Sequence, residues 1–210
     1  MAFAENNDDR PRRVPTQARS RRRYEAILDA AAAVFAETGF EAATTEAIAQ
    51  RAGTSIGSLY QFFPNKRALF AGVAERLMER ETELFREVAA SKLGAPWEEL
   101  LDAVVDGFVM LQETEPAWHA VWSSALALGG EVKATAERCH GVILRGTEEV
   151  LAHYAPEISR ARLQVVAAVM VETLAAMLFA SLRYDRKRAR ALVEEAKRMI
   201  RLYAADVLGR

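Results

Sequence analysis

This chain has little with which to do redox, metal or disulfide chemistry. It has one cysteine, Cys139, so an intrachain disulfide is excluded, and the composition suits a reducing compartment. It has three histidines, His119, His140 and His153, and no two of them stand at metal-ligand spacing with acids nearby. Cys139 and His140 are sequence neighbours, so on a helix they point about 100° apart and do not clamp one ion. There is no phosphate-binding glycine loop, no G-x-G-x-x-G and no Ser/His/acid set at an informative spacing. We therefore expect no enzyme, no metal and no cofactor. Prolines are few, six in all, and none interrupts a long periodic run. Strand patterns and internal repeats are missing, which excludes β and solenoid architectures. The opening M-A-F-A-E-N-N-D-D-R lacks the charged-then-apolar order of a secretory signal, so a cytoplasmic protein is expected. Only one apolar run is long, residues 165–182, with Glu172 as its single charge. Eighteen residues are at the lower limit for a membrane span, and an acid at the centre costs ~2.5–3.5 kcal/mol on insertion. Basic residues flank both ends (Arg160, Arg162; Arg183, Arg186, Lys187, Arg188) and leave no preferred orientation. The run reads as a buried helix, and no membrane partner is expected.

What is present is an ordinary globular composition, 51% hydrophobic and 27% charged over 210 residues, with net charge −1. The charge is unevenly spread. From Arg10 to Phe70 ten Lys/Arg face five Asp/Glu, whereas the rest of the chain from Ala71 is mildly acidic. A basic N-terminal part on an acidic body fits a DNA-reading head on a body with another task. Residues 1–18 are polar, carry Pro11 and Pro15 and lack periodicity, so they read as a disordered arm. Arg10, Arg12, Arg13, Arg19, Arg21, Arg22 and Arg23 run without an acid among them. They suit phosphate or minor-groove contact beside the head; a solubilising tail is the plainer alternative.

The stretch from Thr44 to Leu69, T-T-E-A-I-A-Q-R-A-G-T-S-I-G-S-L-Y-Q-F-F-P-N-K-R-A-L, is the most informative. Thr44 or Thr45 caps a short helix carrying Ile48, Ala49 and Ala52 on one face. Gly53 follows where a left-handed residue is wanted. Ser55 caps a second short helix whose apolar residues are Ile56, Leu59 and Tyr60, with Phe62 and Phe63 beyond. Pro64 ends it, and Asn65 caps a third helix. Two short helices around a glycine turn describe a helix-turn-helix, whose second helix enters the major groove. In order and without gaps, Ile48-Ala49, Ala52-Gly53, Ser55, Gly57-Ser58-Leu59-Tyr60, Phe63, Lys66 and Leu69 closely resemble the signature of the tetracycline-repressor-like (TetR) transcriptional regulators. The detailed resemblance covers about residues 18–75. Thr54 departs from it, since a small apolar residue is more usual there. The resemblance implies that Thr54, Ser55, Gly57, Ser58 and Gln61 meet the groove, with Gly57 permitting close approach. It implies that Tyr60 reaches a phosphate or base and that Thr44, Thr45 and Lys66 hold the backbone.

Periodicity and punctuation predict an all-α chain of about nine helices: Arg19–Thr38, the two short ones, then Lys66–Ala90, Pro96–Thr114, Pro116–Leu128, Glu131–Tyr154, Ile158–Tyr184 and Arg186–Leu208, with a Gly129-Gly130 turn. Phe35, Ile48, Leu59 and Phe63 are expected to close the head's core. The domains expected are the arm (1–18), a helix-turn-helix domain (19–65) and a helical ligand-binding and dimerisation body (66–210).

In the body, Phe108, Trp118, Trp122, Met170 and Met177 would suit an apolar ligand chamber, which the resemblance implies, although each taken singly is better explained as core. Glu172, alone in an apolar helix, pairs with an arginine or faces a cationic ligand. The eighth helix is apolar nearly all round and predicts burial between neighbours. The ninth has a stripe of Leu192, Ala196, Met199, Tyr203 and Val207. Two such helices from each of two copies can form a four-helix interface, which the resemblance also implies. The function expected is a sequence-specific regulator, a homodimeric repressor released from a palindromic duplex-DNA operator by an unidentified small-molecule inducer. The alternatives are a ligand-independent DNA-bound structural or cell-organisation protein, or a helical small-molecule-binding enzyme with a vestigial head.

Overall fold

A computed structural model describes residues 15–128 and 130–209. Most of the basic arm, including Arg10, Arg12 and Arg13, lies outside the described residues, as does Gly129. The described residues form nine α-helices: α1 Ala18–Ala42, α2 Thr45–Arg51, α3 Ile56–Phe62, α4 Lys66–Lys92, α5 Trp97–Thr114, α6 Trp118–Leu128, α7 Gly130–Tyr154, α8 Arg160–Ser181 and α9 Arg186–Leu208. No strand occurs among the described residues beyond an isolated Leu93–Ala95 bridge. Pro116, expected to open α6, stands in the turn before it, and Pro156 stands in the turn before α8. At Pro96 the expectation is nearly met: its carbonyl accepts from Glu99 and Leu100 N–H and opens α5.

Two compact units emerge, and they do not divide at residue 65. The first holds residues up to 79 and 115–137; the second holds 80–114 and 138–210. In the first, α1 presents Tyr24, Ile27, Ala31, Val34 and Phe35 inward. Phe35, Ile48, Leu59 and Phe63 are fully buried together with Leu69 and Phe70, as the apolar spacing requires. Tyr24 stacks on Phe63 at 4.9 Å between ring centres, and its burial, aided by the charge of Glu75, pushes the phenol up to about 12. Gly39 breaks the regular turn of α1 with φ +75°, and Phe40 folds back to meet Phe35 and Phe70. α6 packs on α1 through a stretch in which Ala117, Trp118, Ala120 and Val121 are buried.

The second unit is built on one larger apolar cluster, in which Trp97, Leu101 and Val105 of α5 meet Leu151, Leu163, Val166, Leu178, Val193, Ile200 and Leu208. A smaller cluster joins Phe85 of α4 to Leu100 and Val104. Charge pairs close the α5–α9 seam: Asp106 with Lys197 and Asp102 with Arg201. The α8 expectation needs correction, because only 22% of its apolar window is buried, and Val165 and Val169 are 54% and 43% exposed. The physical reason is that α8 is covered on the side of Leu163, Val166, Ala167 and Leu178 and not on the other. The α9 stripe is also displaced. Its buried line is Val193, Ala196, Ile200, Ala204 and Leu208, while Met199 and Leu202 face outward. By length and composition α8 could cross a membrane.

Candidate nucleic-acid interface

The head is built from local signals. Thr44 Oγ1 accepts from Ala47 N–H at 3.1 Å and starts α2. Gly53 takes φ +62°, and Gly53 and Thr54 N–H donate back to Gln50 and Ala49 carbonyls, which closes the turn. Ser55 Oγ accepts from Ser58 N–H at 3.2 Å and starts α3. Asn65 Oδ1 accepts from Ala68 N–H at 2.8 Å and starts α4.

With Leu59 and Phe62 turned inward, α3 leaves Ile56, Gly57, Tyr60 and Gln61 exposed, with Ser58 half-buried. Ser55 is exposed at its start, and Thr54 is half-buried in the turn. Among the described residues, nothing beyond its chain neighbours and its own helix backbone lies within 4 Å of where a side chain on Gly57 would begin, so internal packing gives no reason for glycine there. Thr45 Oγ1 and Tyr60 Oη share a hydrogen bond of 3.1 Å, which fixes the phenol against the start of α2. Two of the apolar residues of α3, Ile56 and Tyr60, stand at the open edge, 37% and 40% exposed. Ile56 was not among the expected DNA contacts, and an exposed apolar side chain at the start of such a helix is of the kind that can meet a thymine methyl.

Two cations serve the head itself. Arg51 donates two 2.7 Å hydrogen bonds to Glu37, tying the end of α2 to α1; these hold the carboxyl of Glu37 below its usual range. Lys66 Nζ donates to the carbonyls of Phe40 and Glu41 at 2.8 and 2.9 Å and lies 4.7 Å from the Phe40 ring centre. Two of its three N–H groups are therefore spent clipping α4 to the end of α1, rather than left for a DNA phosphate. The described arginines preceding the head, Arg19, Arg21 and Arg22, are exposed, and Arg23 is half-buried.

The residues expected to line a ligand chamber fall into different units. Trp118 and Trp122 belong to the first, with ring centres 6.3 Å apart. Phe108, Met170, Glu172 and Met177 belong to the second. There Phe108 packs against both apolar clusters, Met170 packs against the larger, and Met177 is half-buried. Glu172 is not a buried acid: its side chain is 65% exposed and pairs with His140 Nε2 at 3.0 Å, not with an arginine. The groups buried with charge or polarity are others. Glu81 and Thr82 on α4 meet the thiol of Cys139 at 3.8 and 3.7 Å. No group of three or more His, Cys, Asp or Glu suited to a metal ion occurs among the described residues.

Residues 27–73 match the family described as bacterial regulatory proteins, tetR family, and residues 96–203 match the tetracyclin repressor-like C-terminal domain. The chain belongs to the TetR family of transcriptional regulators. Among its relatives, the HTH-type transcriptional repressor KstR of Mycolicibacterium smegmatis is 36% identical over 80 residues, 38% of this chain and 39% of that protein. The HTH-type transcriptional regulator PksA of Bacillus subtilis is 26% identical over 140 residues, 67% of each chain. A TetR-family transcriptional regulator from Streptomyces coelicolor has a similar crystal structure: TM-score 0.63, 29% identity, covering 88% of this chain and 99% of that one. A structure from Mesorhizobium loti shares the fold at TM-score 0.74 and 19% identity, over 91% and 98%. The match to KstR thus spans well under two thirds of that relative. As a TetR-family member the chain is a DNA-binding regulator and not an enzyme, and its helix-turn-helix is the DNA-reading element of that family.

Proposed function

We propose that this regulator is a homodimeric repressor that reads an approximately palindromic duplex operator through α3. The observation that carries the proposal is the open edge of α3. Both short helices are capped by their own side chains and the turn is closed by backbone bonds, yet Ile56, Gly57, Tyr60 and Gln61 have no packing role that explains them. Thr54, Ser55 and Ser58 stand at the same helix start and join them in the groove, while Thr44, Thr45 and the α1 arginines hold phosphates. Lys66 is left out of this set because two of its N–H groups are already spent within the head.

One short helix makes few base contacts, so a dimer is needed for useful affinity. The second unit supports one. Val165, Val169, Glu172 and Ala176 follow one another at helical spacing along an exposed side of α8, and Met199 and Leu202 are exposed on α9. We propose that these two helices meet their counterparts about a two-fold axis, with the His140–Glu172 pair inside or beside the contact. A small-molecule inducer would act by favouring one state of the dimer over the other. Phe108, Met170 and Met177 in the second unit are its proposed apolar contacts, while Glu172 is reassigned to the dimer face. A cytoplasmic location follows from this work on DNA.

Fluorescence anisotropy on DNA from upstream of its own and neighbouring genes, titrated at two salt concentrations, tests the reading. Tight, saturable binding that survives excess random DNA is expected, as is loss of most of it when Met199 and Leu202 are both changed to Asp and sedimentation shows a monomer. Weak, steeply salt-dependent binding to every fragment would sink the operator half. Specific binding that no ligand weakens would favour the ligand-independent structural alternative.

A further inference from the structure

The turn between α8 and α9, with the start of α9, reads R-Y-D-R-K-R-A-R from Arg183 to Arg190. Arg183, Arg186, Lys187, Arg188 and Arg190 are all exposed. Asp185 is the one acid, and it is occupied: Oδ1 accepts from Lys187 and Arg188 N–H at 3.0 Å and caps α9. Among the described residues none of the five cations has an ion-pair partner. Three other cations of the second unit are paired, Arg160 with Glu148, Lys197 with Asp106 and Arg201 with Asp102, but no other stretch of it gathers five unpaired cations in eight residues. The acids next along α9, Glu194 and Glu195, pair forward with Lys197 and Arg198 rather than back with Arg190.

Helix stability does not account for the cluster. Cations in a first turn stand at the positive end of the helix dipole, where they cost stability, and α9 has no acid in its first turn. Nor are all five loose solvated tails: Arg188 lies 4.2 Å from the Tyr184 ring centre and is held there. Four of the five are arginines, whose planar fork suits phosphate better than lysine's point charge. The body is mildly acidic overall, so such a concentration is not a reflection of general composition.

We propose that the α8–α9 turn is a second, sequence-independent phosphate-binding surface for duplex DNA, separate from the helix-turn-helix. This rests on the DNA-binding reading above. DNA held by the head is at raised effective concentration for a second surface of the same dimer that can reach it. A backbone-only contact adds affinity and salt dependence without adding sequence preference.

The test uses the full-length protein and a mixed-sequence duplex several helical turns long, so it needs no operator. In one variant Arg183, Arg186 and Arg190 become Gln; in a second they become Lys. Each neutralised phosphate contributes a slope of about −0.9 in log affinity against log salt. The Gln variant should bind the duplex about tenfold or more weakly at low salt, with a slope shallower by about two to three per copy. The Lys variant should keep a slope close to the parent's. Both must retain the parent's melting temperature and oligomeric state, which separates lost charge from lost structure. An unchanged slope in the Gln variant overturns the proposal. So does an unchanged slope accompanied by loss of binding to vesicles containing phosphatidylserine, which would assign the cluster to a membrane surface. Failure to find an operator leaves these slopes readable. Conversely, if Tyr60→Ala with Gln61→Ala abolishes sequence preference but not the difference between parent and Gln variant, the two surfaces act separately.

Discussion

Replacing Gly146 with alanine should destabilise the second unit, against the ordinary rule for a glycine inside a helix. Gly146 lies in α7, where a new Cβ would sit 2.3 Å from Phe85 Cε1, 3.1 Å from Cζ and 3.3 Å from Cδ1. Carbon atoms in favourable contact stand ~3.5–4.0 Å apart, so the closest approach overlaps by more than ~1 Å. The Phe85 ring cannot easily withdraw, because it is 5% exposed and packed with Leu100 and Val104. Overpacking of this kind costs ~1–3 kcal/mol, and the better helix propensity of alanine returns ~1 kcal/mol. The net expectation is a loss of up to ~2 kcal/mol, about 2–4 °C in Tm for each kcal/mol in a chain of this size. Gly141 in the same helix is the control. There a Cβ would meet only Arg145 Nη1 at 3.3 Å, the movable end of a long side chain, so Gly141→Ala should stabilise by up to ~1 kcal/mol. Thermal melts of both variants, and of Gly146→Ala combined with Phe85→Leu, decide it. The double variant should regain part of the loss. If Gly146→Ala proves as stable as Gly141→Ala, α7 does not press on α4 as described.

The α5–α9 seam predicts an asymmetry. Asp106→Asn leaves the buried Lys197 ammonium without its main carboxylate and should cost ~1.5 kcal/mol, whereas Lys197→Met replaces it with apolar volume and should cost less than ~1 kcal/mol; urea melts compare them. Burial alone would lower the Lys197 ammonium, but its hydrogen bond and charge attraction to Asp106, then Glu194, outweigh that and raise it above 10.5. A folded-state value above the unfolded one gives stabilisation that is complete below pH 10.5 and lost as pH climbs through the folded value, and Asp106→Asn should flatten that loss in alkaline melts. Burial, then the charge of Glu81, pushes the Cys139 thiol up to about 12, so a colorimetric disulfide reagent at neutral pH should label it only as fast as the protein opens. Ser55→Ala removes the cap of α3 and should cost ~1 kcal/mol in thermal stability, with weaker DNA binding.

The head was legible in the sequence because its determinants are local. A cap three residues from its N–H partner, a glycine where φ must be positive, and a proline that ends α3 are all visible within one turn of chain. Thr44, Gly53, Ser55 and Asn65 accordingly stand in the roles their spacing predicts, and Phe35, Ile48, Leu59 and Phe63 meet in one core. Legibility falls where a side chain's partner is remote. Lys66 looks like a free cation beside a helix start, yet the carbonyls that hold it belong to Phe40 and Glu41, about 25 positions earlier. Aromatic and methionine content points to the candidate ligand residues, but the fold splits them between two units whose chain segments alternate in sequence.

The C-terminal helices show why such remote information is hard to read from composition. An apolar helix has to be covered, and in a lone chain the economical inference is coverage by that chain. α8 breaks the inference: half its circumference meets the core, and Val165, Val169, Glu172 and Ala176 do not. On α9 the apolar arc is wide enough to hold two stripes, and the sequence does not say which is turned inward. The buried one runs through Val193, Ala196 and Ile200; Met199 and Leu202 remain outside. An acid within an apolar run then looks like a buried charge seeking a ligand, although it sits at the open side beside His140. A chain in water does not gain by leaving such a surface wet, since burying apolar area returns roughly 25 cal/mol per Å². The same exposed side chains that defeated the burial reading are therefore the strongest structural support for a second copy of this chain against α8 and α9.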